Sequence, residues 1–118
     1  MRQRTFRVWD KTERVMYYGG FYITEDGKVV WRNDAEPSED SYVLMESTGE
    51  TNKNNEEIWE DDIEKRSDGL IGRVVYYNAM WMIGNKDGVL ELVFESYDAE
   101  TIGNIHENPR LLKLETGV

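Results

Sequence analysis

Leu44-Met-Glu-Ser-Thr-Gly49, Ile58-Trp-Glu-Asp-Asp-Ile63 and Gly72-Arg-Val-Val-Tyr-Tyr77 carry most of the information that sets the fold of this chain. An apolar segment leads into a polar loop, an acidic segment returns to apolar residues, and a β-branched and aromatic run follows. Side chains of that kind suit a pleated, half-buried strand. No segment keeps the 3.6-residue apolar period over more than about two turns, so long helices are not expected. The central stretch therefore reads as strands, with its neighbours covering them.

Toward the N-terminus, Arg4-Thr-Phe-Arg-Val-Trp9 alternates polar and apolar residues, the period of a strand with one buried face. Asp10 to Glu13 reads as a turn and Arg14 to Tyr18 as the return strand. Phe21-Tyr-Ile-Thr and Lys28-Val-Val-Trp31 flank Asp26-Gly27, a pair suited to the positive φ angles of a tight hairpin. Asn33 to Asp40 is acidic, contains Pro37 and has no apolar period, so a loop is expected before a short strand at Tyr42–Met45. Thr48 to Glu57 reads as a second polar loop turning at Asn54-Asn55. Toward the C-terminus, Asn85-Lys-Asp-Gly88 reads as a hairpin turn leading to a strand at Val89–Phe94. A further strand is expected at Thr101–Ile105. His106 to Pro109 then turns the chain, and Pro109 opens a single helical turn. Turn signals recur about every eight to twelve residues, which favours a small barrel or sandwich.

The chain has 118 residues and no cysteine, so neither disulfides nor thiolate metal sites are available and packing alone must hold it. Four Trp, seven Tyr and three Phe supply the buried area that a domain of this size needs. No run approaches the roughly 20 apolar residues of a membrane helix. The basic N-terminus lacks a signal-peptide core. The expectation is a soluble, cytoplasmic protein with no membrane partner. Net charge is −10, unevenly spread. Residues 1–18 hold five cations against two acids, whereas residues 34–64 hold twelve acids against Lys53 alone. Such polarity permits head-to-tail association between copies, or steering toward a basic partner.

Residue types that carry chemistry are present, but not in working patterns. Counted from Glu50, an EF-hand would need glycine at Asn55, an aliphatic residue at Glu57 and Glu at Asp61, and the match fails. Glu56, Glu57, Glu60, Asp61, Asp62 and Glu64 are adjacent in sequence, but neighbours on a strand point to opposite faces, so no metal site is assigned. His106 is the only histidine and has no nucleophile elbow beside it, so local hydrogen bonding is its expected role. No glycine-rich run ends in Lys-Ser/Thr, so no phosphate cradle is expected. Arg4, Phe6, Arg7 and Trp9 could stack bases and contact phosphate. The acidic remainder opposes this, and Phe6 and Trp9 are expected in the core. No catalytic residue and no cofactor is assigned.

Taken together, several segments resemble the YopX family of phage and prophage proteins. They are Arg4-Thr-Phe-Arg-Val-Trp-Asp10 with Met16-Tyr17, Leu44-Met with Thr48-Gly49, and Lys53-Asn54. To these are added Glu57-Ile58, Glu60 with Asp62-Ile63, Gly72-Arg-Val-Val-Tyr76, and Ile102-Gly-Asn-Ile-His-Glu-Asn-Pro109 with Leu111-Leu112. The family pattern has glycine where Asn55 and Asp61 stand here. Asn accepts a left-handed turn, whereas Asp61 is expected to alter the turn into Asp62-Ile63.

The resemblance implies a phage-encoded, self-assembling protein of unassigned biochemical role. By analogy of fold it implies an SH3-like barrel opening near Glu60. The expected architecture is mainly β: a barrel lobe at residues 46–118, an N-terminal β-hairpin or meander at residues 1–45 packed on it, and little helix. The expected function is a non-enzymatic, homo-oligomeric interaction module, open also to a host or phage protein. Arg2, Arg4 and Arg7 would meet Glu57, Glu60, Asp61 and Asp62 of a neighbour. The alternative is a nucleic-acid role, by single-strand binding at the basic edge or by acidic mimicry of DNA.

Overall fold

A computed structural model describes residues 5–85, 88, 90–93 and 98–116. The chain is mainly β and divides into two compact units, Gln3–Glu46 and Ser47–Val118.

In the first unit β1 (Phe6–Asp10) pairs antiparallel with β2 (Val15–Tyr17), Val8 facing Tyr17 and Asp10 facing Val15. Asp10 closes the turn between them, Oδ1 accepting from the amides of Thr12 and Glu13 at 2.8 and 3.1 Å. β3 (Phe21–Ile23) and β4 (Val29–Trp31) form the hairpin expected around Asp26-Gly27, with Gly27 at φ 82°. Val8, Trp9, Val29, Val30 and Met45 are buried. The ring of Trp31 stands 5.1 Å from Tyr17 and 6.2 Å from Phe21, tilted and edge-on, the arrangements aromatic quadrupoles favour.

β5 runs ten residues, Tyr42–Thr51, well past the short strand expected at Tyr42–Met45. Its early part pairs with β1, Met45 facing Arg7. Later, Ser47 and Thr51 face Trp59 and Glu57 of β6 (Glu57–Trp59). Polar residues at 46–51 masked the strand, yet the side chains of Ser47 and Thr48 are bonded in place. Thr48 Oγ1 donates to the Ile58 carbonyl at 2.7 Å, and the Ser47 hydroxyl donates to the Glu57 carboxylate. The predicted loop thus shrinks to residues 52–56, where Asn55 takes φ 61°.

The second unit contains a five-stranded antiparallel sheet in the order β10 (Leu90–Leu92), β9 (Met80–Gly84), β8 (Ile71–Tyr77), β7 (Asp62–Lys65), β11 (Glu100–Asn104). Ile58, Val74, Ile83 and Val93 form its buried cluster, with Trp81 packed against it. Complete burial of such aliphatic side chains contributes roughly 1.5–3 kcal/mol each. Gly72 is required by closeness: a Cβ there would sit 2.7 Å from Ile83 Cγ2 and 2.9 Å from the Gly84 carbonyl oxygen. A 3-10 helix, Pro109–Thr116, packs against β8 and β11 and extends the single turn expected at Pro109. Of the expected Asn85–Gly88 turn, Lys86 and Asp87 lie outside the described residues, as do Val89 and Phe94. The amide of Gly88 still bonds the Asn85 carbonyl at 3.1 Å. Among the described residues no helix is long and apolar enough to cross a membrane.

Candidate functional site

Ser47–Val118 presents three features on which chemistry or recognition could rest, each built by a short local signal. The first is a polar node. Asp61 sits in the turn between β6 and β7 at φ 71°, in the left-handed region that glycine favours. Its amide bonds the Val74 carbonyl at 2.9 Å, and its carbonyl accepts from the Ile105 amide at 3.0 Å. Its Oδ1 accepts from Arg73 Nε and Nη2 at 3.0 and 2.9 Å, while Oδ2 lies 3.0 Å from His106 Nε2. Burial pushes the Asp61 carboxyl up, but the bonds from His106 and Arg73 outweigh it and hold the pKa below the usual carboxylate value.

His106 reaches Asp61 because the segment after β11 folds on itself. Asn104 Oδ1 accepts from the amides of His106 and Glu107 at 3.0 and 2.9 Å, and the Asn108 amide returns to the Asn104 carbonyl at 2.8 Å. A Cβ at Gly103 would fall 2.4 Å from Asn108 Oδ1, which accounts for glycine there. The local bonding expected of His106 holds for its backbone, whereas its ring bonds across 45 residues of sequence. The node is a fastener between the β6–β7 turn, β8 and the loop after β11.

The second feature is Glu64 on β7, 0% exposed, with neither carboxylate oxygen in a hydrogen bond of ordinary geometry. Burial raises its pKa to about 8, opposed by the nearby Thr101 hydroxyl and reinforced by Asp62 and Glu56. That hydroxyl already accepts from Asn52 Nδ2 at 2.8 Å, leaving its own proton for Glu64. A charge at Glu64 would be desolvated and would meet the acids Asp62 and Glu56, so the neutral acid is the form this environment favours. Sequence reading placed Glu64 only within an acidic run. The apolar neighbour Ile63 was the one signal that this run enters a core.

The third feature is the tip of the β8–β9 hairpin. Tyr77 and Met80 close it across a two-residue turn in which Asn78 and Ala79 take φ 53° and 63°, the positive pair that matches strand twist. Tyr76, Tyr77 and Met80 are 59%, 53% and 46% exposed, and Tyr76 stacks edge-on to Trp81 at 4.9 Å. Beside them Thr48, Glu50, Met80, Trp81, Leu92 and Val93 line a half-open cavity of about 130 Å³. Drug- and cofactor-sized sites run roughly 300–1,000 Å³, so this one has room for a single side chain. The sequence placed Tyr76 and Tyr77 in a strand and left the exposure of every ring open.

Of the residues assigned from sequence, Arg7, Asp61 and Asp62 are buried. Arg2 and Arg4 lie outside the described residues. Arg7 is not on a basic edge: it is 2% exposed, and its Nη1 donates to the Tyr18 hydroxyl at 3.4 Å. Asp61 and Asp62 are buried, at 6% and 3%, and Asp62 Oδ2 accepts from the Trp59 amide at 2.8 Å. Glu60 is half-buried and Glu57 exposed. The acids were expected at an outer contact on the strength of charge alone, but the β6–β7 turn carries two of them inward, where backbone and guanidinium donors meet them. Among the described residues no three His, Asp or Glu side chains are grouped to hold a metal ion.

These features define a small, mainly β protein with buried polar groups and with exposed rings at Tyr76 and Tyr77 of one hairpin and at Tyr18 and Tyr22 of the first unit. The chain belongs to the YopX family, the family model described as YopX protein matching residues 5–113. It is similar to protein EF1440 from Enterococcus faecalis, at 26% identity and TM-score 0.65, over 95% of this chain and 99% of that one. Protein yopX from Bacillus subtilis, 20% identical over 92% of this chain and 97% of its own, shares the fold with TM-score 0.64. No match is found among curated proteins.

Proposed function

We propose that this chain is a non-enzymatic, self-associating interaction module of phage or prophage biology, acting in the cytoplasm of a bacterial host. The observation that carries this reading is the exposure of Tyr76, Tyr77 and Met80 around the tip of one hairpin, Tyr76 on one face and the cross-strand pair Tyr77 and Met80 on the other. Rings left in water at that density serve contact better than folding, because large aromatic and Met side chains supply most of the apolar area at protein interfaces. The contact is then mainly apolar, in place of the charge pairing between Arg2, Arg4, Arg7 and the acids at 57–62. The nucleic-acid alternative is weakened by the burial of Arg7, which removes one of its three N-terminal cations.

Light scattering on a size-exclusion column tests the assembly. A mass above the 13.9 kDa of one chain is expected, persisting from low to high salt because apolar contact is little screened. Met80→Glu places a charge in the contact and shifts the equilibrium toward the single chain. A single chain for the wild type at every concentration and ionic strength refutes the reading.

A further inference from the structure

We infer that the cavity beside the tip of the β8–β9 hairpin is a socket for one arginine side chain, presented by a basic segment of a different partner protein. Val93 and Thr48, 2% and 8% exposed, form its floor, while Met80, 46% exposed, and the exposed Glu50 stand at its rim. Trp81 and Leu92, both half-buried, complete the lining. The described lining thus has apolar walls and one carboxylate. That carboxylate is not committed elsewhere: among the described residues Glu50 makes a hydrogen bond only through its amide, to Thr48 Oγ1 at 3.1 Å. Thr48, by contrast, is occupied, donating to the Ile58 carbonyl, so it offers the ligand little. A guest must therefore bring its own donors to Glu50 and an apolar or planar stem to Met80 and Trp81.

Arginine meets both demands. Its guanidinium is planar, weakly hydrated and always charged, pairs with a carboxylate through two N–H groups, and stacks on indole. Lysine brings a point charge that holds its water more tightly. The volume of about 130 Å³ excludes a nucleotide and admits one side chain. The choice of partner follows from charge. At net −10 a second copy is repelled at long range, whereas a basic segment is drawn in.

The inference shares Met80 with the proposed contact between copies, but it needs only a single chain, whose socket is open. Its test is a titration of the full chain with Gly-Gly-Arg-Gly-Gly, followed at the Trp81 indole N–H by NMR, against the same peptide with lysine and with citrulline. Citrulline keeps the shape of arginine and removes the charge. Saturable binding of the arginine peptide is expected, several-fold weaker for lysine and weaker still for citrulline. Glu50→Gln should weaken arginine binding about fivefold, as loss of an exposed ion pair does. Met80→Ala should weaken arginine and lysine peptides alike.

Equal binding of the citrulline peptide, or arginine binding indifferent to both substitutions, overturns the socket. If the arginine peptide separates copies of the chain and Glu50→Gln by itself separates them too, the occupant is an arginine of a second copy and the separate partner is overturned. Absence of peptide binding in a chain that still assembles overturns this inference and leaves the assembly standing. Peptide binding by a chain that never assembles does the reverse.

Discussion

The carboxylate of Asp61 stands 3.0 Å from Nε2 of His106, and its other oxygen takes two bonds from Arg73, so one acid ties the β6–β7 turn to β8 and to the loop after β11. The same residue holds a left-handed backbone angle that glycine would adopt freely. Asp61→Ala removes the bonds and keeps the strain. It is expected to lower unfolding free energy by about 2–3 kcal/mol, the cost of losing a buried charged hydrogen-bonding group, reduced because water competes at Arg73. Asp61→Gly should cost about 1 kcal/mol less than Asp61→Ala, since glycine relieves the backbone. Urea unfolding at neutral pH measures both, and a glycine variant as unstable as the alanine one contradicts the strain. Because the folded pKa is depressed, the stability Asp61 contributes is present above the ordinary carboxylate value and is lost as pH falls through the folded one.

Glu64, three residues on, has the opposite sign. Its folded pKa is raised from 4.5 to about 8, so between those values the unfolded chain has released a proton that the folded chain still holds. Stability from this group is full below 4.5 and falls as pH climbs toward about 8, by up to about 1.4 kcal/mol per unit. Glu64→Gln keeps the shape and removes the titration. It should flatten that slope and raise stability at pH 8 by roughly 2–4 kcal/mol. Thermal melts of the two proteins across this range decide it, and parallel curves would remove Glu64 as the cause.

Ala79 occupies the second position of the β8–β9 turn at φ 63°, where its Cβ is crowded by the backbone. Glycine fits that angle but gains freedom in the unfolded chain. Ala79→Gly is therefore expected to stabilise by about 0.5–1 kcal/mol. The expected readout is a higher urea midpoint at unchanged slope; a lower midpoint shows that the turn is not strained.

Gly72 precedes Arg73, the β8 partner of Gly84, and lies so close to Ile83 and the Gly84 carbonyl that there is no room for a methyl group. Gly72→Ala forces the two strands apart, because the Gly84 carbonyl is backbone and cannot swing aside. A loss of about 2–3 kcal/mol is expected from this overpacking. Hydrogen exchange should locate it, with faster exchange at the amides of Ile83 and Gly84 than at those of β1.

Much of the architecture was legible. The Asp26-Gly27 hairpin, the strand over Gly72–Tyr77 and the turn at Asn55 follow from local residue preferences, and the structure has each of them. The length of β5 was hidden because Ser47 and Thr48 are polar yet bonded within the sheet. The proposed contact hairpin was half legible: its strands show in the pattern, but which faces of Tyr76, Tyr77 and Met80 stay uncovered depends on what else packs nearby.

From sequence alone came the mainly β class, the absence of disulfides and the family, because strand period, turn chemistry and ordered motifs are local and survive without coordinates. Tertiary structure decided that Arg7, Asp61, Asp62 and Glu64 lie inside while Tyr76 and Tyr77 lie outside. The physical reason is that charge and ring count are written along the chain, whereas burial and hydrogen-bond partners arise between residues far apart in it.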